Sequence, residues 1–144
     1  MEIPIRFTIL TGKRFRMPTE AEWEFAARGG NNSEGTRWSG NTSCGSVGWF
    51  SGNSGAKTHP VAEKTPNELN IYDMSGNVWE WCSDWYANYS SASQTNPTGA
   101  ASGSNRVIRG GSYSDTANDC RVSMRSFIAS SNSMSTLGVR LVME

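Results

Sequence analysis

The sequence predicts an α+β fold that is rich in loops, with few helices and short antiparallel strands. One capped, amphipathic segment predicts a helix, two short apolar stretches near the C-terminus predict strands, and long polar stretches rich in Gly, Ser and Asn separate them. A chain of 144 residues is long enough to bury about two-thirds of its unfolded surface. We therefore predict one domain over residues 1–144.

The helix is predicted from its capping residues. Thr19 and Glu22 form a Thr-x-x-Glu capping box. Three apolar residues then recur at the i, i+3 and i+4 spacing of a buried stripe, namely Trp23, Ala26 and Ala27. Gly29 and Gly30 end the helix after Arg28. Because the stripe is narrow, we expect a structural helix that packs against a sheet or a tryptophan cluster.

Two long stretches predict loops. Residues 29–63 are rich in Gly, Ser and Asn, with Trp38, Trp49 and Phe50 as isolated aromatic residues. His59, the only histidine, precedes a proline there and is predicted to be a loop residue rather than a ligand or base. Residues 87–105 are small and polar, and we expect them to form an exposed loop.

Strands are predicted near both ends of the chain. Residues 106–109 precede Gly110 and Gly111, where the backbone must turn or approach another segment closely. Residues 137–141 alternate between apolar and other residues, which predicts a half-buried strand. Residues 3–7 alternate similarly, so the two ends of the chain are candidates to pair in one sheet.

Composition excludes several function classes. Lys plus Arg and Asp plus Glu both number 13, so no bulk charge favours nucleic acid or an anionic membrane as partner. No apolar run approaches the roughly 20 residues of a membrane span, and no signal-peptide pattern is visible. We therefore expect no nucleic-acid binding and no membrane insertion.

The three cysteines do not form a recognisable motif. Cys44, Cys82 and Cys120 are widely spaced, without any Cys-x-x-Cys pair. Free buried thiols are the favoured interpretation for all three. A disulfide between Cys82 and Cys120 is the alternative in an oxidising compartment, and the sequence leaves it open.

Residues 66–85 are the most informative stretch. Trp79, Trp81 and Trp85 lie within seven positions, a density typical of aromatic residues that pack in a core. The oxygen-bearing residues beside them, Asp73, Asn77 and Glu80, are suited to bind a hard cation or to cap an irregular loop.

Residues 112–136 have an unusual composition. The segment holds eight serines and no Lys, Glu or Gln, and neither the strand period nor the helix period fits residues 126–136. It is either an ordinary polar surface loop or a binding face, in which small polar residues surround a few apolar contact residues as in antibody paratopes.

Four stretches, 16–28, 72–82, 109–113 and 137–141, together resemble the formylglycine-generating enzyme (sulfatase-modifying factor) family. The resemblance covers residues 11–143 and implies a variant of the C-type lectin fold. Family members usually carry a much longer N-terminal half, so the chain is expected to be an N-terminally short version.

The resemblance implies a copper site that this chain does not preserve. The family's oxidases hold copper with two cysteines just past the Gly-Gly-Ser motif, and thiolates are the ligands that select Cu(I). The corresponding positions here are Asp115 and Cys120. A carboxylate is a poor Cu(I) ligand, so we expect no copper, no catalytic residues and no enzyme activity.

The resemblance also implies a structural calcium site. Its ligands would be the side chains of Asp73 and Glu80 and the carbonyls of Gly76 and Val78, an all-oxygen set that suits calcium. The alternative is a loop without an ion, in which Asp73 caps the turn and Glu80 pairs with an arginine.

Lectin-fold proteins that are diversified by phage and bacterial retroelements use this C-terminal region as their variable face, through randomised adenines in Asn-type codons. Most residues at the candidate variable positions have codons that can be reached from an Asn codon by changing adenines only, but Met124 and Met134 do not. Arg125 and Arg140 would belong to a constant framework and bind backbone carbonyls. The predicted ligand-binding residues are Tyr113, Ser114, Asp115, Thr116, Met124, Ser126, Phe127, Ile128, Ser130, Asn132, Met134 and Ser135.

The sequence therefore predicts a ligand-binding protein with a variable C-terminal surface, of phage or bacterial origin. The ligand is expected to be a protein or a cell-surface molecule, and a virion or a cell surface is a compatible location. One alternative is a copper oxidase that acts on sulfatase cysteines, and another is a structural module of a larger surface assembly. The oligomeric state is not predicted.

Overall fold

The computed structural model describes residues 12–144, and these form the fold that the sequence predicts, with few helices and short strands. Its elements in chain order are strand β1 (Phe15–Arg16), helix α1 (Glu20–Ala27), a 3-10 turn (Gly30–Asn32), helix α2 (Cys44–Val47) and strands β2 (Trp79–Trp85), β3 (Asn105–Arg109), β4 (Arg125–Ala129), β5 (Leu137–Gly138) and β6 (Val142–Met143). None of the helices among the described residues is long and apolar enough to cross a membrane.

Helix α1 begins at the predicted capping box. Thr19 Oγ1 accepts a hydrogen bond from the Glu22 amide at 3.2 Å, and the Glu22 carboxylate accepts one from the Thr19 amide at 2.8 Å. Gly29 follows the helix with a left-handed φ of 86°, which ends it. Trp23 and Ala27 are buried, and α1 packs with this face against β2 and β3, as expected.

In the described part of the chain, the main sheet has four strands in the order β4-β3-β2-β5. The pairs β2–β3 and β3–β4 are antiparallel, whereas β5 runs parallel to β2. Strand β2 carries the tryptophan cluster, and most of its residues are buried on both faces of the sheet. A strand covered on both faces shows no alternation of polarity, which is why the sequence did not mark it as a strand.

Two apolar clusters cover the two faces of this sheet. On the side of α1, buried Trp23, Ala27, Met74, Cys82, Val107 and Val122 pack together. On the other side, Trp79, Trp81 and Ile108 form a smaller cluster against Met17, Met124, Ile128 and Leu137. Trp79 and Trp81 of β2 therefore point away from the helix, towards a face that part-buried residues cover.

The prediction of one continuous strand over residues 137–141 is wrong. Residues 137–138 pair with β2, the chain leaves the sheet at Val139 and Arg140, and residues 142–143 pair with β1. Arg140 causes this break because its guanidinium turns inward to Glu80 and to the Tyr72 carbonyl. The alternating residues 3–7 lie outside the described residues.

The prediction that no regular element occupies residues 126–136 is also wrong in part. Strand β4 covers Arg125–Ala129 and pairs with β3 over its whole length. Four of its five residues are half-buried and only Phe127 is exposed. Because neither face of the strand is fully buried, its sequence does not alternate between apolar and polar residues. Only residues 130–136 form the loop that the composition indicates.

The long segment between α1 and β2 is mostly irregular, as predicted. Single aromatic side chains hold it in place: the Trp49 ring stacks on His59 with centroids 3.7 Å apart, and Trp38 Nε1 donates to the Ala117 carbonyl at 2.7 Å. His59 is a loop residue, as predicted. Residues 87–104 form the second predicted loop, and Asn105 already belongs to β3.

Candidate functional site

Trp79 brings together two of the predicted ligand-binding segments. Its indole Nε1 donates to Asp115 Oδ2 at 2.8 Å, and its backbone amide donates to the Thr136 carbonyl at 2.8 Å. The Tyr113 hydroxyl lies 3.3 Å from Ser135 Oγ. Residues 113–116 and 135–136, which are about twenty positions apart in the chain, are therefore neighbours on one surface.

The Gly-Gly turn after β3 places the first of these segments. Gly110 and Gly111 have φ values of 98° and 74°, a left-handed conformation that glycine adopts without strain. A Cβ atom on Gly111 would lie 2.7 Å from Cys120 Sγ, so this close approach also requires glycine. The Tyr113 amide then donates to the Asn77 carbonyl at 2.8 Å, which fixes the segment beside β2.

Strand β4 divides the remaining predicted residues between two faces. Ser126 lies opposite Ile108, and Ile128 packs with the Trp79 cluster. Phe127 points to the other side, where its ring lies 4.3 Å from that of Tyr86. Neighbouring residues of a strand point to opposite faces, so one flat ligand cannot contact both Phe127 and Ile128.

We define the Trp79 face as the side of the sheet away from α1, together with the loop residues next to Trp79. It comprises Tyr113, Ser114, Asp115, Ser126, Ile128 and Ser135, with the part-buried Met124 at its base. The other predicted residues surround it or lie elsewhere: Thr116 is exposed beyond Asp115, Ser130, Asn132 and Met134 are exposed in the loop between β4 and β5, and Phe127 lies on the opposite face.

Asp115 is less available to a ligand than its neighbours. Besides Trp79, its Oδ2 atom accepts a hydrogen bond from the Ser112 hydroxyl, and its backbone carbonyl accepts one from the Ser51 amide at 2.9 Å. Ser114 and Thr116, on either side, are exposed. The carboxylate therefore supports the framework of the Trp79 face rather than protruding from it.

The four residues of the implied calcium site line one pocket of about 520 Å³. Asp73 is buried and has a left-handed φ of 58°. Its Oδ2 atom accepts from the Ala62 amide at 2.8 Å, whereas Oδ1 has no hydrogen-bond partner within the described part of the chain. A buried carboxylate oxygen without a partner is costly, and a cation in the pocket would remove that cost.

Glu80 shares its carboxylate with two protein donors in the same pocket. Oε2 accepts from Trp23 Nε1 at 2.7 Å and from Arg140 Nε at 2.9 Å, while Oε1 accepts from Arg140 Nη2 at 2.8 Å. A carboxylate has about four lone-pair sites, so one on Oε1 is left for an ion. The oxygen atoms of this pocket therefore fit calcium. The pairing of Glu80 with an arginine, which the sequence offered as the alternative to an ion, is also present.

An ion-pair network that was not predicted from the sequence holds β4 in place. Glu20 accepts from Arg125 at 2.8 and 2.5 Å, and the fully buried Arg109 lies between Glu20 and Glu24. Arg109 also donates to the Val122 and Met124 carbonyls, which fixes the start of β4. The signal was present in the sequence, since Glu20 shares a helix face with Trp23 and Ala27 at i, i+3 and i+7.

The predicted hydrogen bonds of Arg125 and Arg140 to backbone carbonyls are confirmed. Arg125 donates to the Ala87 carbonyl at 2.8 Å and Arg140 to the Tyr72 carbonyl at 2.9 Å. Each also pairs with a buried glutamate. Within the described residues no group of three or more His, Cys, Asp or Glu side chains is placed to hold a metal ion.

Known proteins match both the sequence and the fold. Treponema denticola variable protein 1 superposes with a TM-score of 0.82 at 45% identity, covering 90% of this chain and 47% of that protein. PvdO from Pseudomonas aeruginosa superposes with a TM-score of 0.81 at 29% identity, covering 98% of this chain and 57% of PvdO. These similarities agree with an α+β fold of the C-type lectin type.

Curated relatives include formylglycine-generating enzymes. That of Streptomyces coelicolor is 37% identical over 142 residues, which cover 87% of this chain and 45% of the enzyme. That of Mus musculus is 38% identical over 146 residues, which cover 87% of this chain and 38% of the enzyme. The chain thus spans less than half the length of these relatives. Residues 5–144 match the sulfatase-modifying factor enzyme 1-like domain, and the chain belongs to that family.

Proposed function

We propose that this protein is a non-catalytic binder that presents a variable surface, the Trp79 face and the neighbouring loop 130–136, on a constant framework. The observation that carries the proposal is the junction at Trp79, which joins residues 113–116 and 135–136 into one exposed surface above a buried indole. The similarity to Treponema denticola variable protein 1, at 45% identity, supports the same conclusion.

The chemistry of this surface suits a protein or cell-surface ligand. Tyr113, Ile128 and Met134 offer apolar contact area, and the serines around them offer hydroxyl groups that donate and accept hydrogen bonds. Met134 is 45% exposed, so a ligand can bury it. Recognition would be non-covalent, with diversification by a retroelement changing the exposed side chains and leaving the framework intact.

A matched serine library tests the division between variable surface and framework. Ser114, Ser130 and Ser135 are exposed, whereas Ser75 and Ser112 are fully buried and serve as matched controls. We expect most of the twenty residues at each exposed position to leave the melting temperature within about 3 °C of the parent. At the buried serines, large side chains overpack the core and should lower the melting temperature by far more.

The proposal predicts that binding changes while folding does not. Libraries at the exposed positions, displayed and selected against purified bacterial surface proteins, should yield variants with new partners. Equal intolerance of the exposed and buried serines would contradict the proposal. The retroelement part of the proposal has its own test in the flanking DNA. The absence there of an adenine-varied copy of the 3′ end beside a reverse transcriptase gene would contradict it.

The competing function is oxidation of a sulfatase cysteine, the activity that the names of several relatives suggest. Cu(I) titration with a cysteine-containing sulfatase peptide tests it directly. We expect no turnover, because the position of one family copper ligand holds Asp115, whose carboxylate is bound by Trp79 and Ser112. Turnover that is lost in Cys120→Ser would replace the binder proposal with the oxidase.

We also propose a structural calcium ion held by Asp73, Glu80 and the carbonyls of Gly76 and Val78. The Asp73 Oδ1 atom in the shared pocket, which has no hydrogen-bond partner among residues 12–144, supports it. Calcium should raise the melting temperature of the parent relative to EDTA, and Asp73→Asn should abolish that rise. If calcium leaves the parent unchanged, the Glu80–Arg140 pair alone stabilises the loop.

A further inference from the structure

We propose that the cleft between helix α1 and residues 87–100 is a second binding site, which takes an organic cation, an alkylammonium or guanidinium group, on the carboxylate of Asp84. The cleft lies on the α1 side of the sheet, opposite the Trp79 face, and none of the predicted ligand-binding residues lines it. The proposal is therefore independent of the proposed function, and either can fail without the other.

The cleft has a volume of about 810 Å³. Pockets of roughly 300–1,000 Å³ commonly hold small organic ligands, with a few polar groups that fix the ligand's orientation. The last two residues of β2, Asp84 and Trp85, belong to its lining, and most of the remaining lining comes from α1 and from residues 87–100. Regular elements therefore position the polar groups of the cleft.

Asp84 offers one carboxylate oxygen to the cleft. The residue is only 3% exposed. The hydrogen bonds that its carboxylate accepts from residues 12–144 both end on Oδ2, from the Glu20 amide at 2.8 Å and from the Ser83 hydroxyl at 3.4 Å. Gly99 lies beside Oδ1, and an added Cβ atom would be 3.0 Å from it, so the lack of a side chain at Gly99 leaves Oδ1 uncovered. Oδ1 is therefore available to a ligand.

The other charged groups of the cleft already have partners. Glu20 pairs with Arg125 at 2.5 Å, and Glu24 pairs with Arg28 at 2.7 Å, so the two arginines that line the cleft are neutralised by their own carboxylates. None of the ion pairs formed by residues 12–144 includes Asp84. A ligand cation at Asp84 would therefore meet a carboxylate without a counter-ion, whereas an anion would be repelled.

The electrostatic environment of Asp84 agrees with this assignment. Burial raises the pKa of its carboxyl, and the negative charge of Glu20 raises it further; the hydrogen bond from the Glu20 amide and the charge of Arg125 oppose the shift. Arg109, the buried arginine beneath α1, is held by Glu20 and Glu24. The ionised form of Asp84 is thus less stable than it would be in water, and a bound cation would stabilise it.

Aromatic side chains complete a site for a cation. Tyr89 is 68% exposed and Phe25 is 55% exposed, and both line the cleft together with the half-buried Trp85. Two of these rings already attract guanidinium groups of the protein, since Arg125 lies 4.1 Å from the Tyr89 centroid and Arg106 lies 3.6 Å from that of Trp85. A ligand whose charged group reaches the carboxylate can bury its aliphatic stem against such rings.

Free amines and the lysine side chains of proteins share this chemistry, so two probes test the proposal. The isotopically labelled full chain is titrated with n-pentylamine and with the capped peptide acetyl-Gly-Lys-Gly-amide at physiological ionic strength, and amide chemical shifts are followed by NMR. We expect saturable shifts at Asp84, Tyr89 and Gly99 and none at Ser114 and Ser135 of the Trp79 face. The probe that binds more tightly identifies the source of the cation, a free amine or a protein side chain.

Neutral probes of the same shape provide the control for charge. They are n-pentanol and acetyl-Gly-norleucine-Gly-amide, which keep the aliphatic stem without the ammonium group. We expect each to bind at least about tenfold more weakly than its charged counterpart, because the charge-assisted hydrogen bond to Asp84 is lost.

Two pairs of matched variants locate the site. Asp84→Asn keeps the shape of the side chain but removes its charge, and it should weaken binding of the charged probes at least about tenfold. Glu34→Gln removes an exposed charge outside the cleft and should bind them as the parent does. Tyr89→Ala should weaken binding about two- to fivefold, whereas Tyr89→Phe, which keeps the ring, should not.

Three results would overturn the proposal. They are the absence of binding by both charged probes, neutral probes that bind as tightly as the charged ones, and an Asp84→Asn variant with the affinity of the parent. Because Asp84 also accepts from the first turn of α1, its substitution can impair folding. In that case the exposed Tyr89 carries the test, and equal affinities of Tyr89→Ala and Tyr89→Phe would overturn the site.

Discussion

At the scale of single residues, Asp115 illustrates how a residue in a surface segment can belong to the framework. Its carboxylate accepts from the buried Trp79 indole and from the fully buried Ser112. We predict that Asp115→Ala lowers the free energy of unfolding by about 1–3 kcal/mol, because both donors lose their acceptor. Chemical denaturation monitored by tryptophan fluorescence measures this.

Ser114→Ala is the matched control for Asp115→Ala. Ser114 is exposed and directly precedes Asp115. Its removal should change the free energy of unfolding by no more than about 0.5 kcal/mol. Equal effects of the two substitutions would mean that the hydrogen bond to Trp79 does not order the surface, and Asp115 would then be as free to vary as its neighbours.

Arg109 makes the ion-pair network sensitive to the loss of a single partner. Its side chain is fully buried between Glu20 and Glu24, and Glu20 also holds Arg125. Removing one partner from a buried ion pair leaves an uncompensated charge, so Glu20→Ala should cost roughly 3–5 kcal/mol. Urea denaturation gives the value.

The exposed pair of Arg14 and Glu144 provides the comparison for Glu20→Ala. Its closest atoms are 3.9 Å apart, and the Arg14 side chain is 84% exposed. Arg14→Gln should therefore leave the free energy of unfolding within about 0.5 kcal/mol of the parent. A loss of similar size in both variants would show that burial does not set the strength of these pairs.

At the scale of elements, the start of α1 connects helix capping to acid stability. The Arg16 guanidinium, which donates to both Glu22 oxygens at 2.7 Å, lowers the pKa of Glu22 to about 2; burial opposes the shift, and the Thr19 amide favours it. Because the folded pKa lies below the unfolded one, this stabilisation is present above about pH 4.3 and is lost as the pH falls towards 2.

Glu22→Gln tests that linkage. The substitution should flatten the fall in melting temperature between about pH 4.3 and 2 while leaving its slope near pH 7 unchanged. The side chain is 44% exposed, so solvent screening keeps the effect at or below about 1 kcal/mol. A variant with the same acid profile as the parent would show that Glu22 does not contribute through its charge.

Elements were predictable where a local signal specifies them. The capping box gave α1, and the Gly-Gly break gave the end of β3. Strand β2 was missed because burial on both faces removes its alternation, and β4 because only Phe127 is clearly exposed. The break at Arg140 depends on a pair with Glu80 that is 60 positions away, and no local pattern encodes such a contact.

At the scale of the whole molecule, the candidate site arises from segments that only the fold brings together. The sequence predicted ligand-binding residues in several segments, but it could not show that Trp79 joins two of these segments or that β4 sends Phe127 to the opposite face. Motif spacing predicts chemistry within a segment, whereas contacts between segments require the three-dimensional structure.

The whole molecule should therefore show two levels of local stability, which hydrogen exchange can measure. Strand β3 pairs on both sides, with β2 and β4, so its inner amides should exchange only when the protein unfolds globally. The exposed residues 131–135 lie outside the strands, and their amides should exchange at least about 1,000-fold faster. The proposed variable surface needs this contrast, because loops would have to accommodate new side chains without disturbing the sheet. If residues 131–135 exchanged as slowly as β3, the loop would belong to the rigid core, and substitutions there would cost stability instead of changing the ligand.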